Sequence, residues 1–138
     1  MGISADVKFN KNHVNQFKKL GVSVIYIYGS QVNGLANSAS DIDIGVVFAR
    51  PEEHKDKTMK VYSQLYDIFN DIFHGKEVDV VLLQFASPTL QFKAVSSGVT
   101  IYEQSKENNF QYKESVIKKY ADIKHFLDLR AQEVLNRI

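Results

Sequence analysis

The chain has 138 residues, no cysteine, a net charge of +1, 44% hydrophobic residues and 24% charged residues. That length suits one domain able to bury a core without staples, and the missing cysteines exclude disulfides, thiolate metal sites and cysteine nucleophiles. The near-zero charge supplies no field that would recruit DNA or RNA, so direct nucleic-acid binding is not expected. The first residues lack the long apolar run of a signal peptide, and no stretch approaches the roughly 20 apolar residues of a membrane span. A cytoplasmic location is the expectation.

In chain order, Val7, Val14, Phe17 and Leu20 recur at helical spacing from Asp6 to Leu20, and Gly21 follows as a C-cap signal. Val22–Tyr28 is β-branched, aromatic and almost wholly apolar, which predicts a central strand buried on both faces. Gly29-Ser30 ends it. A polar segment, Gln31 to Ser40, separates it from a second predicted strand, Asp41 to Phe48. Pro51-Glu52-Glu53 predicts the start of one long helix with Met59, Tyr62, Leu65, Tyr66, Phe69, Ile72 and Phe73 along its apolar stripe, closed by His74-Gly75. Glu77 to Leu83 predicts a third strand. Ser87-Pro88 is an N-cap followed by proline at the first helical position, and Gly98 ends that helix. Val99 to Tyr102 reads as a short edge strand. A last helix from about Phe110 carries the stripe Val116, Ile117, Tyr120, Ile123, Leu127, Val134 and Ile138, able to pack on its own domain or on a partner. The partial alternation predicts an α/β (α+β) chain with a small mixed sheet, packed helices and a long C-terminal helix.

Three features carry chemistry. Gly29-Ser30 stands at the end of a buried strand, where a glycine lets a phosphate approach the backbone and a serine hydroxyl can donate to it. Asp41 and Asp43 bracket Ile42, so a strand points both carboxylates to one side and Ile42 and Ile44 to the other. Hard oxygen ligands on one rigid face suit Mg²⁺. Asp79 interrupts Val78 and Val80–Leu83, where a carboxylate is costly unless it meets a metal or a cation. Each has a plainer reading: a turn, a solvated strand end, a salt bridge. His13, His54, His74 and His125 are scattered and read as surface or helix-end residues, and Lys55, Lys57 and Lys60 as a solvated face.

Taken together, the order is strand, Gly29-Ser30, ten residues (31–40), Asp41-x-Asp43 on a strand, then a later strand with Asp79. This resembles the nucleotidyltransferase superfamily that shares the DNA polymerase β palm fold. The short length is similar to that of the MNT (minimal nucleotidyltransferase) family, the antitoxin half of HEPN/MNT toxin–antitoxin pairs. The resemblance runs from about Phe17 to Arg130 and includes Ser87-Pro88, Gly98–Glu103 and Tyr120-Ala121-Asp122. It implies that Gly29 and Ser30 hold the β- and γ-phosphates of ATP and that Asp41, Asp43 and Asp79 bind Mg²⁺. It further implies that Asp79 helps activate the acceptor, and that AMP passes to a tyrosine hydroxyl of a partner HEPN ribonuclease toxin. Relatives often carry arginines just after the Gly-Ser pair; here the segment is Gln31-Val32-Asn33-Gly34. Two alternatives stand beside this reading: an antitoxin that neutralises by contact alone, favoured by the missing arginines, and a transferase acting on a small-molecule hydroxyl.

Overall fold

The computed structural model describes residues 7, 9–29, 42–74 and 76–137. Four strands form one mixed sheet in the order β3-β2-β1-β4. β1 (Val22–Tyr28) lies between β2 (Ile42–Phe48) and β4 (Val99–Glu103), antiparallel to both. β2 pairs in parallel with β3 (Val78–Leu82), a pairing that needs a crossover connection such as the helix between them. Every residue of β1 is buried, which fits its central position and apolar run. β4 is the edge strand and is only partly buried.

Helices cover both faces. On one, Phe17 of α1 (Lys11–Leu20) and Val61, Leu65, Ile68 and Phe69 of α2 (Thr58–Ile72) pack on Ile25, Ile27, Ile42, Ile44, Val46, Val78 and Val80. On the other, Ala94 and Val95 of α3 (Pro88–Ser97) and Val116 of α4 (Lys106–Asn136) pack with Leu83 on Val24, Tyr26, Tyr28 and Val47. The period-two alternation of β2 thus sends Ile42 and Ile44 to the α1–α2 side and Asp43 to the α3–α4 side.

Local sequence sets the helix ends. Asn10 caps α1 in a capping box with His13, and Gly21 closes it in the left-handed conformation at φ 74°. The helix therefore starts later than the Asp6 of the sequence reading. His13 is a helix-end residue but a buried one, and its Nε2 meets Asp71 of α2 at 2.9 Å. Ser87 caps α3 with Pro88 in its first turn, as the sequence indicates, and α3 ends at Gly98. Ser105 caps α4 by accepting from the Asn108 N–H, so that helix begins ahead of Phe110.

The long helix predicted from Pro51 is two elements. Pro51–His54 is a separate 3₁₀ turn and α2 begins at Thr58. Residues 52–57 offer no apolar side chain to the sheet, and the turn is tied down instead by the His54 ring, 4.4 Å from that of Phe48. The buried stripe is also rotated: Met59 is 77% exposed, while Val61 and Ile68 are buried. Lys55, Lys57 and Lys60 are exposed.

The first half of α4 is fastened by a polar network. The buried Tyr26 hydroxyl donates to Asn109 Oδ1, and Asn109 Nδ2 donates to Thr100 Oγ1 at 3.1 Å and Glu103 Oε2 at 2.7 Å. Tyr112 donates to Gln91 Oε1 at 2.8 Å, and Tyr120 stacks on Phe92 with ring centroids 4.0 Å apart. Beyond Tyr120, residues 121–137 are all exposed. Among the described residues the predicted stripe is thus covered only at Val116 and Tyr120, while Ile117, Ile123, Leu127 and Val134 face solvent and Ile138 lies outside the described residues. No helix among the described residues is long and apolar enough to cross a membrane.

Candidate active site

The functional side chains gather at one end of the sheet, on its α3–α4 face. The register of β2 with β3 makes Asp43 and Asp79 direct Cα partners. Parallel neighbours lie about 4.8 Å apart, so the two carboxylates stand side by side. Asp43 is partly exposed and Asp79 exposed, although Val78 and Val80 beside it are buried. The sequence reading of Asp79 as a carboxylate sunk in an apolar strand is therefore corrected: the strand end opens to solvent on that face, and no desolvation cost arises. Among the described residues no lysine or arginine forms an ion pair with Asp79. Two like charges directly opposite on neighbouring strands repel, and a bound cation relieves that repulsion.

β1 delivers two further groups. Tyr28, its last residue, is the Cα partner of Asp43. Its ring is buried, and its phenol is pushed up to about 12, first by burial and then by the charges of Asp43 and Asp79. Both carboxylates therefore lie within electrostatic reach of one hydroxyl. Gly29 follows at φ +90°, a left-handed conformation that disfavours any side chain, and a Cβ there would run into the Asp43 carboxylate. Glycine at this position lets the chain turn out of β1 while passing directly against Asp43. Tyr28 escaped the sequence reading because it closes a run that looks purely apolar. Its only signal was its place next to Gly29.

Of the predicted site residues, Gly29, Asp43 and Asp79 come together. Ser30 and Asp41 lie outside the described residues. No group of three or more metal-binding side chains occurs among the described residues, but the two that are described fit an Mg²⁺ ion in chemistry: hard carboxylate oxygens, side by side, on rigid strands.

The site is thus a mixed sheet whose central strand ends in a glycine beside paired carboxylates. The family described as Polymerase beta, Nucleotidyltransferase matches residues 11–107, and the chain belongs to it. No curated protein matches the chain. Among solved structures it is similar to a chain of a toxin–antitoxin complex crystallised with AMP-PNP, at 21% identity and TM-score 0.65, covering 92% of this chain and 99% of that one. A protein from Shewanella oneidensis gives 20% identity and TM-score 0.62 over the same shares. A third similar chain comes from the tri-AMPylated Shewanella oneidensis HEPN toxin in complex with MNT antitoxin, at 21% identity and TM-score 0.52, covering 91% of this chain and 98% of that one.

Proposed function

We propose that the 138 residues form one nucleotidyltransferase domain of the MNT type, a cytoplasmic antitoxin that transfers AMP from ATP to a tyrosine hydroxyl of a cognate HEPN ribonuclease toxin. The observation that carries this reading is the pairing of Asp43 with Asp79 against Gly29, in a chain of the nucleotidyltransferase family. The similarity to chains from toxin–antitoxin complexes, one crystallised with AMP-PNP and one holding an AMPylated HEPN toxin, supports the donor and the partner.

Each group has a part. The turn at Gly29 leaves the backbone open to a phosphate, and the Ser30 hydroxyl donates to the β- and γ-phosphates. Asp43 and Asp79, with Asp41, would hold Mg²⁺, which neutralises the charge of the triphosphate and the carboxylates. Asp79, the most open of the described groups, faces the acceptor and takes the tyrosine proton. The tyrosine oxygen bonds to the α-phosphorus, the bond from that phosphorus to the bridging oxygen breaks, and pyrophosphate leaves in line.

The test is direct. Incubated with ATP, Mg²⁺ and the cognate HEPN protein, the chain is expected to add about 329 Da per transfer to a tyrosine of that protein. A HEPN protein that stays unmodified and is nonetheless inhibited would replace transfer by neutralisation through contact, the reading favoured by the cation-free Gln31-Val32-Asn33-Gly34.

A further inference from the structure

Three tyrosines pack on the α3–α4 side of the sheet: Tyr26, Tyr28 and Tyr112. Two of them spend their hydroxyls inside the fold, Tyr26 by donating to Asn109 Oδ1 and Tyr112 by donating to Gln91 Oε1 at 2.8 Å. Tyr28 differs. Its ring is buried, yet among the described residues its hydroxyl has no hydrogen-bond partner. No buried polar side-chain atom among them lacks one, so the core holds the ring without enclosing its tip.

The neighbours of that tip are carboxylates. Tyr28 is the Cα partner of Asp43, and Asp43 of Asp79. The three stand in one row across β1, β2 and β3, about 4.8 Å from strand to strand, and face the same side. Side chains rise roughly perpendicular to a sheet, and a tyrosine is longer than an aspartate. The Tyr28 hydroxyl therefore lies farther from the backbone than the carboxyl oxygens beside it. Burial and the charges of Asp43 and Asp79 keep its proton on, so toward a ligand it is a donor. Gly29, next in the chain, turns the backbone out against Asp43. A donor set beside that turn and unused by the fold is matched by a ligand with anionic oxygens.

We infer that the Tyr28 hydroxyl is a nucleotide-binding group, donating to a non-bridging phosphate oxygen of a triphosphate held over Asp43 and Asp79. The inference rests on the proposed function for the nucleotide. It adds a neutral donor where Gln31-Val32-Asn33-Gly34 offers no cation, fixed in place by a ring the core already holds.

The test sets Tyr28→Phe beside Tyr26→Phe, each losing one hydroxyl and keeping its ring. Urea unfolding without nucleotide reads the fold. Tyr26→Phe leaves Asn109 without its donor and is expected to unfold at lower urea, whereas Tyr28→Phe is expected to match or exceed the wild type. Calorimetry reads the ligand. With Mg²⁺ present, Tyr28→Phe is expected to bind both ATP and inorganic tripolyphosphate about tenfold more weakly, the loss of one hydrogen bond to a charged group. Its affinity for Mg²⁺ alone is expected to be unchanged, and Tyr26→Phe is expected to bind ATP as the wild type does. Wild-type affinities in Tyr28→Phe overturn the inference and leave the transferase reading standing. A loss confined to ATP overturns it by placing the contact on the nucleoside, and a loss toward Mg²⁺ alone by placing it on the carboxylates. A marked loss of stability in Tyr28→Phe overturns it too, since the hydroxyl would then serve the fold. A wild type that binds neither ATP nor tripolyphosphate overturns the inference and the transferase reading together.

Discussion

The two faces of β2 do different work. Toward α1 and α2 the strand presents Ile42, Ile44 and Val46, all fully buried in the larger core. Toward α3 and α4 it presents Asp43, beside Asp79 and under Gly29. One face spends its side chains on stability and the other sets like charges next to each other, which no stability argument favours. A strand can serve both ends because its side chains alternate, and the cost on one side is offset by burial on the other.

That division is broken or sharpened by substitution. Asp43→Asn is expected to remove several kcal/mol of transition-state stabilisation, as loss of a direct metal ligand does, while urea unfolding stays close to wild type. Ile44→Ala, one residue away, is expected to cost about 2–5 kcal/mol in unfolding and to leave transfer by the folded fraction intact. Equal effects of the two on transfer would erase the distinction between the faces. The smallest expected effect lies at Asp79. In EDTA, Asp79→Asn removes one of two facing charges, so stability is expected to hold or rise by roughly 0.2–1 kcal/mol. A marked loss in EDTA would mean that Asp79 serves the fold rather than a metal.

Much of this was legible before any coordinates. The burial of β1 followed from its unbroken apolar run, and the outward turn of Asp43 from the period of a strand. The caps at Gly21 and Ser87 followed from residue chemistry. What escaped depends on pairings between distant segments. The placement of Asp79 directly beside Asp43 needs the β2–β3 register, which α2 sets from outside both strands. The contact of Gly29 with Asp43, and the part of Tyr28, need the β1–β2 register across the long segment between them. Pro51-Glu52-Glu53 looks like a helix start by composition, but without an apolar side chain to anchor it the turn stays separate from α2. The stripe on α4 was visible, yet periodicity cannot say which half of a stripe its own domain covers.

The central claim is that Asp43 and Asp79 form a metal-dependent nucleotide site. Calorimetric titration of ATP into the purified chain, once with Mg²⁺ and once in EDTA, tests it without any partner. The account predicts binding that needs Mg²⁺ and is lost with Asp43→Asn in the Mg²⁺ buffer, because a metal held by the carboxylates offsets the charge of the triphosphate. Equal ATP affinity with and without Mg²⁺ would contradict it.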